Sequence, residues 1–405
     1  MLASTPPSAQ STLASFFKKP GMKKPFAVAP FLLPGLSVSA AEAFKFDTSY
    51  QTYDESGGRM FVESYYYRGE MFLSEETSFR FQLLRDAIAG STPNGALPEN
   101  QQKALPGTKQ PFLTDIDDVR QGVLAALSQQ IGDHRVELEL SHSRESDYLS
   151  QGISLSDKWE LNQKNTTVSF GANYLNDTIV VRGTDDQNKK SYDLFFGLSQ
   201  LLDKNTVLSA SLTLGYAEGY LNDQYKVIQR DELVGGFPVT SIYRENRPTS
   251  RLRGVLQLQG THYFEKTNSA LDAVVRLSQD DYGVFSQSLQ LEWRQSLFGK
   301  LEITPFFRYY QQSAADFFHN SLNEVNVGTP QNRPDGSGPN YSADYRLSSM
   351  ASMSLGLKAR YRFTENIAAS IAYEHYDMTG IGGKQSPAAA YPTANMWTLG
   401  LNFQF

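Results

Sequence analysis

From Phe44 onward, apolar residues return at every second position through segments of roughly ten to thirteen residues, a period that extended strands with two unlike faces satisfy. The last segment shows it most plainly. Trp397, Leu399, Leu401, Phe403 and Phe405 fall on one face, and Thr398, Gly400, Asn402 and Gln404 on the other. The row Leu208, Ala210, Leu212, Leu214, Tyr216 alternates with Ser209, Ser211, Thr213 and Gly215, and Val136, Leu138, Leu140 with Glu137, Glu139 and Ser141. Leu289, Leu291 and Trp293 alternate with Gln290, Glu292 and Arg294, and Leu357, Ala359, Tyr361 and Phe363 with Lys358, Arg360 and Arg362. Strands of soluble sandwiches are usually about half this length. Charge that persists on the second face of long strands suits a wet interior, and no run reaches the ~18 apolar residues of a spanning helix. The pattern therefore predicts an all-β chain: a transmembrane antiparallel up-and-down β-barrel, whose closed wall pairs every backbone group in lipid.

The connections alternate in length. Short turns are expected at Gly132-Asp133, Asn162–Asn165, Asp203–Asn205, Glu265–Asn268, Phe298–Lys300 and Thr364–Asn366, and long loops near 87–118, 177–190, 219–248, 314–346 and 379–393. Short periplasmic turns opposite long extracellular loops are the asymmetry of bacterial outer-membrane barrels, and with both termini on the turn side the count is about 16 strands (about 14–18). The first strand, Phe44–Tyr53, and an extra hairpin inside 219–248 are the open points of that count. Aromatic residues make up 12% of the chain, with 25 Phe and 22 Tyr, while the mean hydropathy is polar at −0.42. Lipid-facing rows, interfacial aromatic girdles and a polar lumen produce this combination. With no cysteine, thiol catalysis and disulfide frameworks are excluded, and a formal charge of −6 without a basic stretch argues against nucleic acid.

Residues 1–43 read as an N-terminal extension and secretory signal: Met22-Lys23-Lys24 is a positive start, Pro25–Val38 a short apolar stretch, and Ala41-Glu42-Ala43 a cleavage site. The mature barrel is then 44–405. Upstream, Gln10, Leu13, Phe16 and Phe17 have the spacing of the clamp-binding box of replication proteins; ahead of a secretory signal and with no other nucleic-acid feature, the segment reads instead as an upstream start codon, with synthesis beginning at Met22.

Candidate chemistry is scattered. Asp115, Asp117 and Asp118 offer three carboxylates of the kind hard cations such as calcium favour, or a set of solvated acids. His142 lies among Ser141, Ser143 and Asp147, but its place in the apolar row turns it toward lipid; His134, His262, His319 and His375 are dispersed. Gly380–Lys384 lacks phosphate-loop spacing. On the polar faces, Glu137, Glu139, Asp272, Arg276, Glu292, Arg294, Arg308, Lys358, Arg360 and Arg362 are expected to share the lumen, where they set up a transverse field or pair into a plug.

The segment Asp86-Ala87-Ile88-Ala89-Gly90-Ser91-Thr92-Pro93, after an aromatic strand and opening the first long loop, resembles a motif of a family of uncharacterised outer-membrane barrel proteins, a domain of unknown function. The resemblance extends over most of the mature chain, including Asp117-Asp118-Val119-Arg120 and the terminal Phe. The motif is also similar to acceptor sequences for covalent flavin mononucleotide. That resemblance implies Thr92 as acceptor, with Asp86 and Gly90 as recognition positions; Ala89 and Ser91 depart from the pattern, and a turn that ends a strand explains the same residues. The row Trp397 to Phe405 resembles the signal read by the barrel-assembly machinery. The expectation is a non-enzymatic barrel in outer-membrane lipid, a porin-like channel or scaffold without cofactor. The alternatives are a redox-associated barrel with flavin on Thr92 or a periplasmic electron-transfer partner, and a barrel hydrolase.

Overall fold

A computed structural model describes residues 44–95, 113–181, 183–331 and 333–405. The expected leader and the clamp-box-like segment lie outside the described residues, as does 96–112. The strands are β1 (Phe44–Glu55), β2 (Phe61–Phe72), β3 (Thr77–Pro93), β4 (Leu113–Ile131), β5 (His134–Arg144), β6 (Tyr148–Leu161), β7 (Thr166–Ile179), β8 (Gln187–Asp203) and β9 (Thr206–Gly219). Then come β10 (Val227–Val234), β11 (Phe237–Arg244), β12 (Ser250–Phe264), β13 (Ser269–Asp280), β14 (Phe285–Leu297), β15 (Leu301–Gln312), β16 (Met350–Arg362), β17 (Ile367–Gly380) and β18 (Thr393–Gln404). Sixteen of them close a barrel in sequence order, with β9 paired directly to β12; β10 and β11 form a separate two-stranded sheet. The first strand is therefore a full member of the wall, and the extra hairpin within 219–248 exists but stands outside it.

Closure is made by the chain ends. β1 and β18 pair antiparallel from Lys45↔Gln404 to Glu55↔Ala394. Phe44 and Phe405 exchange both backbone hydrogen bonds, at 3.0 and 2.9 Å. Among the described residues the barrel wall is therefore left with no free strand edge.

All six expected short turns occur, and 73–76 adds a seventh on the same rim. Asn162, Gln163 and Lys164 all take positive φ in their turn, and Gly235 and Gly236 (φ 61° and 88°) give the β10–β11 hairpin the left-handed tip that two-residue hairpins require. The loop expected over 87–118 is shorter than the sequence suggests. β3 runs through Pro93 and β4 starts at Leu113, with every residue from Ala87 to Pro93 paired across to Leu113–Val119. Glycine and proline at the end of this segment read as a turn, but cross-strand pairing overrides local preference.

The alternating rows fall as expected. Leu140 is 53% exposed, Leu155 55% and Leu399 50%, all on the outward face. Such rows right round a closed wall are a surface only lipid covers. Two aromatic girdles bound them. One, toward the loops, contains Tyr50 with Tyr65, Tyr174 with Tyr192, and Tyr373 with Trp397; the other, toward the turns, contains Phe264 with Trp293, Tyr361 with Phe363, and Phe403 with Phe405. Rings with an apolar body and a polar tip settle at such interfaces.

Candidate functional site: the barrel interior and its loop cap

The strand registers decide which side chains share the interior. Glu137 and Glu139 (β5) point inward, where Arg80 of β3 bridges them at 2.8 and 3.0 Å. Asp272 (β13) stands opposite Glu292 (β14) and accepts from Gln259 at 2.9 Å and Thr261 at 2.6 Å. Arg294 lies 3.5 Å from Glu292. Arg276 donates to the amide oxygen of Gln257 at 2.7 Å, and Arg308 to that of Gln290 at 3.1 Å. Lys358, Arg360 and Arg362 continue the inward row of β16. By strand register these ten charges lie on the row opposite the exposed apolar one, and only some of them are paired. Arg253, Arg294, Arg308 and Lys358 are inward yet exposed, which inside a closed wall means that they border water.

Above this interior the segments 220–249 and 313–349 fold into a cap with its own core. One cluster joins Ile228 and Tyr243 of the hairpin to Leu322, Val327 and Tyr341; a second packs Tyr282, Phe317, Phe318 and Leu347. The cap is tied to points all round the rim. Gln312 donates to the carbonyls of Arg346 and Ser348, each at 2.9 Å. Asn320 donates to the carbonyl of Gln385, in the loop between β17 and β18, at 2.9 Å. Lys226 donates to the Pro93 carbonyl at the end of β3, Gln224 and Tyr225 to Asp147 between β5 and β6, and Arg333 to Gly183 between β7 and β8. Attachments so distributed hold the cap across the mouth.

A buried ion cluster braces it. Asp344 receives Arg247 at 2.8 Å and the Nε of Arg346 at 2.9 Å, Glu245 receives Arg247 at 2.8 Å, and Arg346 also reaches Asp223. Burial works against the charge of Asp344, but the surrounding Arg346, Lys226 and Arg247 outweigh it and hold the carboxyl well below the usual range. Burial pushes Glu245 up, with the Asp344 charge adding to it and Arg247 opposing. Burial likewise draws Lys226 down and raises the Tyr345 phenol to about 12. A cavity of about 430 Å³ between cap and rim is lined by Tyr220, Asn222, Arg247 and Arg333 among others.

The remaining expected site residues are distributed as follows. Asp86, Gly90 and Thr92 lie on one inward row of strand β3, not at the opening of a loop. Asp86 is 2% exposed and pairs with Arg120, whose Nε is 2.8 Å away. Gly90 has φ 128°, and a Cβ there would stand 2.0 Å from the Arg59 carbonyl, so the close approach of β2's leading turn accounts for glycine. The Thr92 hydroxyl accepts from Lys226 at 3.4 Å. The three adjacent aspartates separate, because Asp115 and Asp117 project outward from β4 while Asp118 projects inward. Asp118 instead joins Glu145 and Asp147, with carboxylate oxygens within 4.8 Å of one another. Arg120, 3.9 Å from Glu145, already supplies that group with a positive charge. His142 is exposed on the outward row, on the face opposite Ser141 and Ser143. His134 bonds Asp157 at 2.7 Å and stacks on Trp159 at the turn rim.

The cap residues Lys226, Glu245, Arg247 and Asp344 were not expected. The only trace of them in the chain is charge set among aromatic and apolar residues in two long loops, as in Arg244–Arg247 and Asp344–Arg346. Nothing local says that the two segments meet.

Several solved structures resemble the chain along most of its length. They include CdiB from Acinetobacter baumannii (TM-score 0.49, 9% identity, 90% of this chain and 61% of that one) and a bacterial polysaccharide outer membrane secretin (0.48, 9%, 91% and 100%). The siderophore receptor PirA from Pseudomonas aeruginosa gives 0.42 at 14% identity over 90% of this chain, which spans 62% of the receptor's length. No curated protein matches the chain. The family profile described as protein of unknown function (DUF3570) matches residues 24–187 and 180–405, and the chain belongs to that family.

Proposed function

We propose that this protein is an outer-membrane channel with a capped mouth: the short turns face the periplasm, the cap faces outward, and the C-terminal row serves as the assembly signal. One observation carries the reading. Inward-facing Arg253, Arg294, Arg308 and Lys358 remain exposed inside a closed sixteen-stranded wall, and barrels of about this size enclose an aqueous channel. The cap's ties to the rim supply a closure whose release would open the outer end. Neither alternative has comparable support, since the Thr92 hydroxyl is engaged by Lys226 and His142 is turned outward. Planar-bilayer recording of the purified protein is expected to show discrete steps, larger or more frequent in the cap variant Asp344→Asn. A flat trace from both proteins would refute the channel.

A further inference from the structure

Charge inside the barrel is unevenly distributed. On β12–β16 eight Arg and Lys side chains point inward against four carboxylates, Asp272, Asp280, Glu292 and Glu302. Two of the eight are paired with acids, Arg251 with Asp280 and Arg294 with Glu292. The other six, Arg253, Arg276, Arg308, Lys358, Arg360 and Arg362, have no carboxylate within 4 Å among the described residues. Glu302 is the register partner of Arg360 and still does not reach it.

How the six are held matters as much as their number. Arg276 and Arg308 donate to the neutral amides of Gln257 and Gln290, which fix the guanidinium without cancelling its charge. Lys358, Arg360 and Arg362 occupy successive inward positions of β16, and Arg308 sits one strand away opposite Ser354. Together they make a strip that runs from mid-wall to the turn rim. The opposite wall is mixed: Glu137 and Glu139 share the cation Arg80, Asp193 is met by the neutral Asn173, and Arg135 and Lys158 also point inward. Walls of low dielectric focus such a field into the water between them.

We infer that the strip on β15 and β16 is the path of an anionic solute, a small carboxylate or phosphate, entering from the turn rim. This rests on the channel reading above. Hydrogen-bonding guanidinium groups at successive positions suit oxyanions in particular, because each can take two oxygens at once.

The test is the reversal potential of the purified protein, and of Asp344→Asn, across a tenfold KCl gradient, repeated with potassium acetate and potassium phosphate. The expected result is an anion-selective potential that moves toward zero in the Arg308→Gln/Lys358→Gln double variant. Single Arg360→Gln serves where the double variant fails to assemble. A stronger response to phosphate than to acetate identifies phosphate as the preferred class, and the reverse identifies carboxylate. Steps that are unselective or cation-selective overturn this inference and leave the channel standing. Absence of steps from every protein overturns both.

Discussion

Asp344→Asn removes one negative charge from the middle of the cap while preserving the shape of the side chain. Arg247, 12% exposed, keeps Glu245 at 2.8 Å but loses Asp344; Arg346, 49% exposed, keeps Asp223. Breaking a buried ion pair from one side costs about 3–5 kcal/mol. Water reaches half of Arg346 and a second acid remains for Arg247, so the lower end applies. A loss of about 3 kcal/mol multiplies the open fraction of the cap by roughly 150. Hydrogen exchange of the detergent-solubilised protein, followed by mass spectrometry, reads this directly. Peptides from 220–249 and 313–349 are expected to lose about that factor of protection, while those from β13–β18 are unchanged. The exposed Asp335→Asn, in the same loop and bonded only within it to Ser337, is the control. A change under tenfold in the cap, or a loss spread through the barrel strands, would refute the claim that the Asp344 cluster braces the cap.

Acidification should act on this cluster in two opposite stages. Glu245 has a raised value in the folded cap, so the stability it contributes grows as pH falls through that value and is complete below about 4.5; Glu245→Gln removes this stage from the exchange profile. Asp344 has a depressed value, so its contribution is complete above about 4 and is lost only as pH falls further. At β3, intact-mass measurement of protein from cells that possess a flavin transferase is expected to give the unmodified mature mass, because the Thr92 hydroxyl lies on a paired strand and accepts from buried Lys226; an added flavin mononucleotide would refute this. At the closing seam, deleting Phe405 removes both of its backbone bonds to Phe44. The folded fraction that keeps its heat-dependent mobility shift on a gel should fall severalfold, and an unchanged fraction would show that the seam does not need it.

The sequence by itself determined the wall. Alternation along β18 from Trp397 to Phe405 places each side chain in lipid or in the lumen whatever its neighbours are, because the two faces of a strand follow from backbone geometry alone. The same rule put Arg308, Lys358 and Arg360 inside, and turn residues at Gly132 or Asn162 marked the short rim. It failed at Ala87–Pro93, where small residues with Gly90 and Pro93 read as a loop although pairing with Leu113–Val119 extends the strand. It also failed for Asp115, Asp117 and Asp118, since closeness in sequence puts alternate residues of a strand on opposite faces. Only the tertiary structure decided which charges cancel and what covers the mouth. Arg80 finds Glu137 and Glu139 two strands away, whereas Lys358 finds no acid within 4 Å among the described residues. Asp344 meets Arg247 across about a hundred residues of chain, within the fields of Glu245 and Lys226. Those contacts depend on how irregular loops pack against one another, and no period in the chain encodes that.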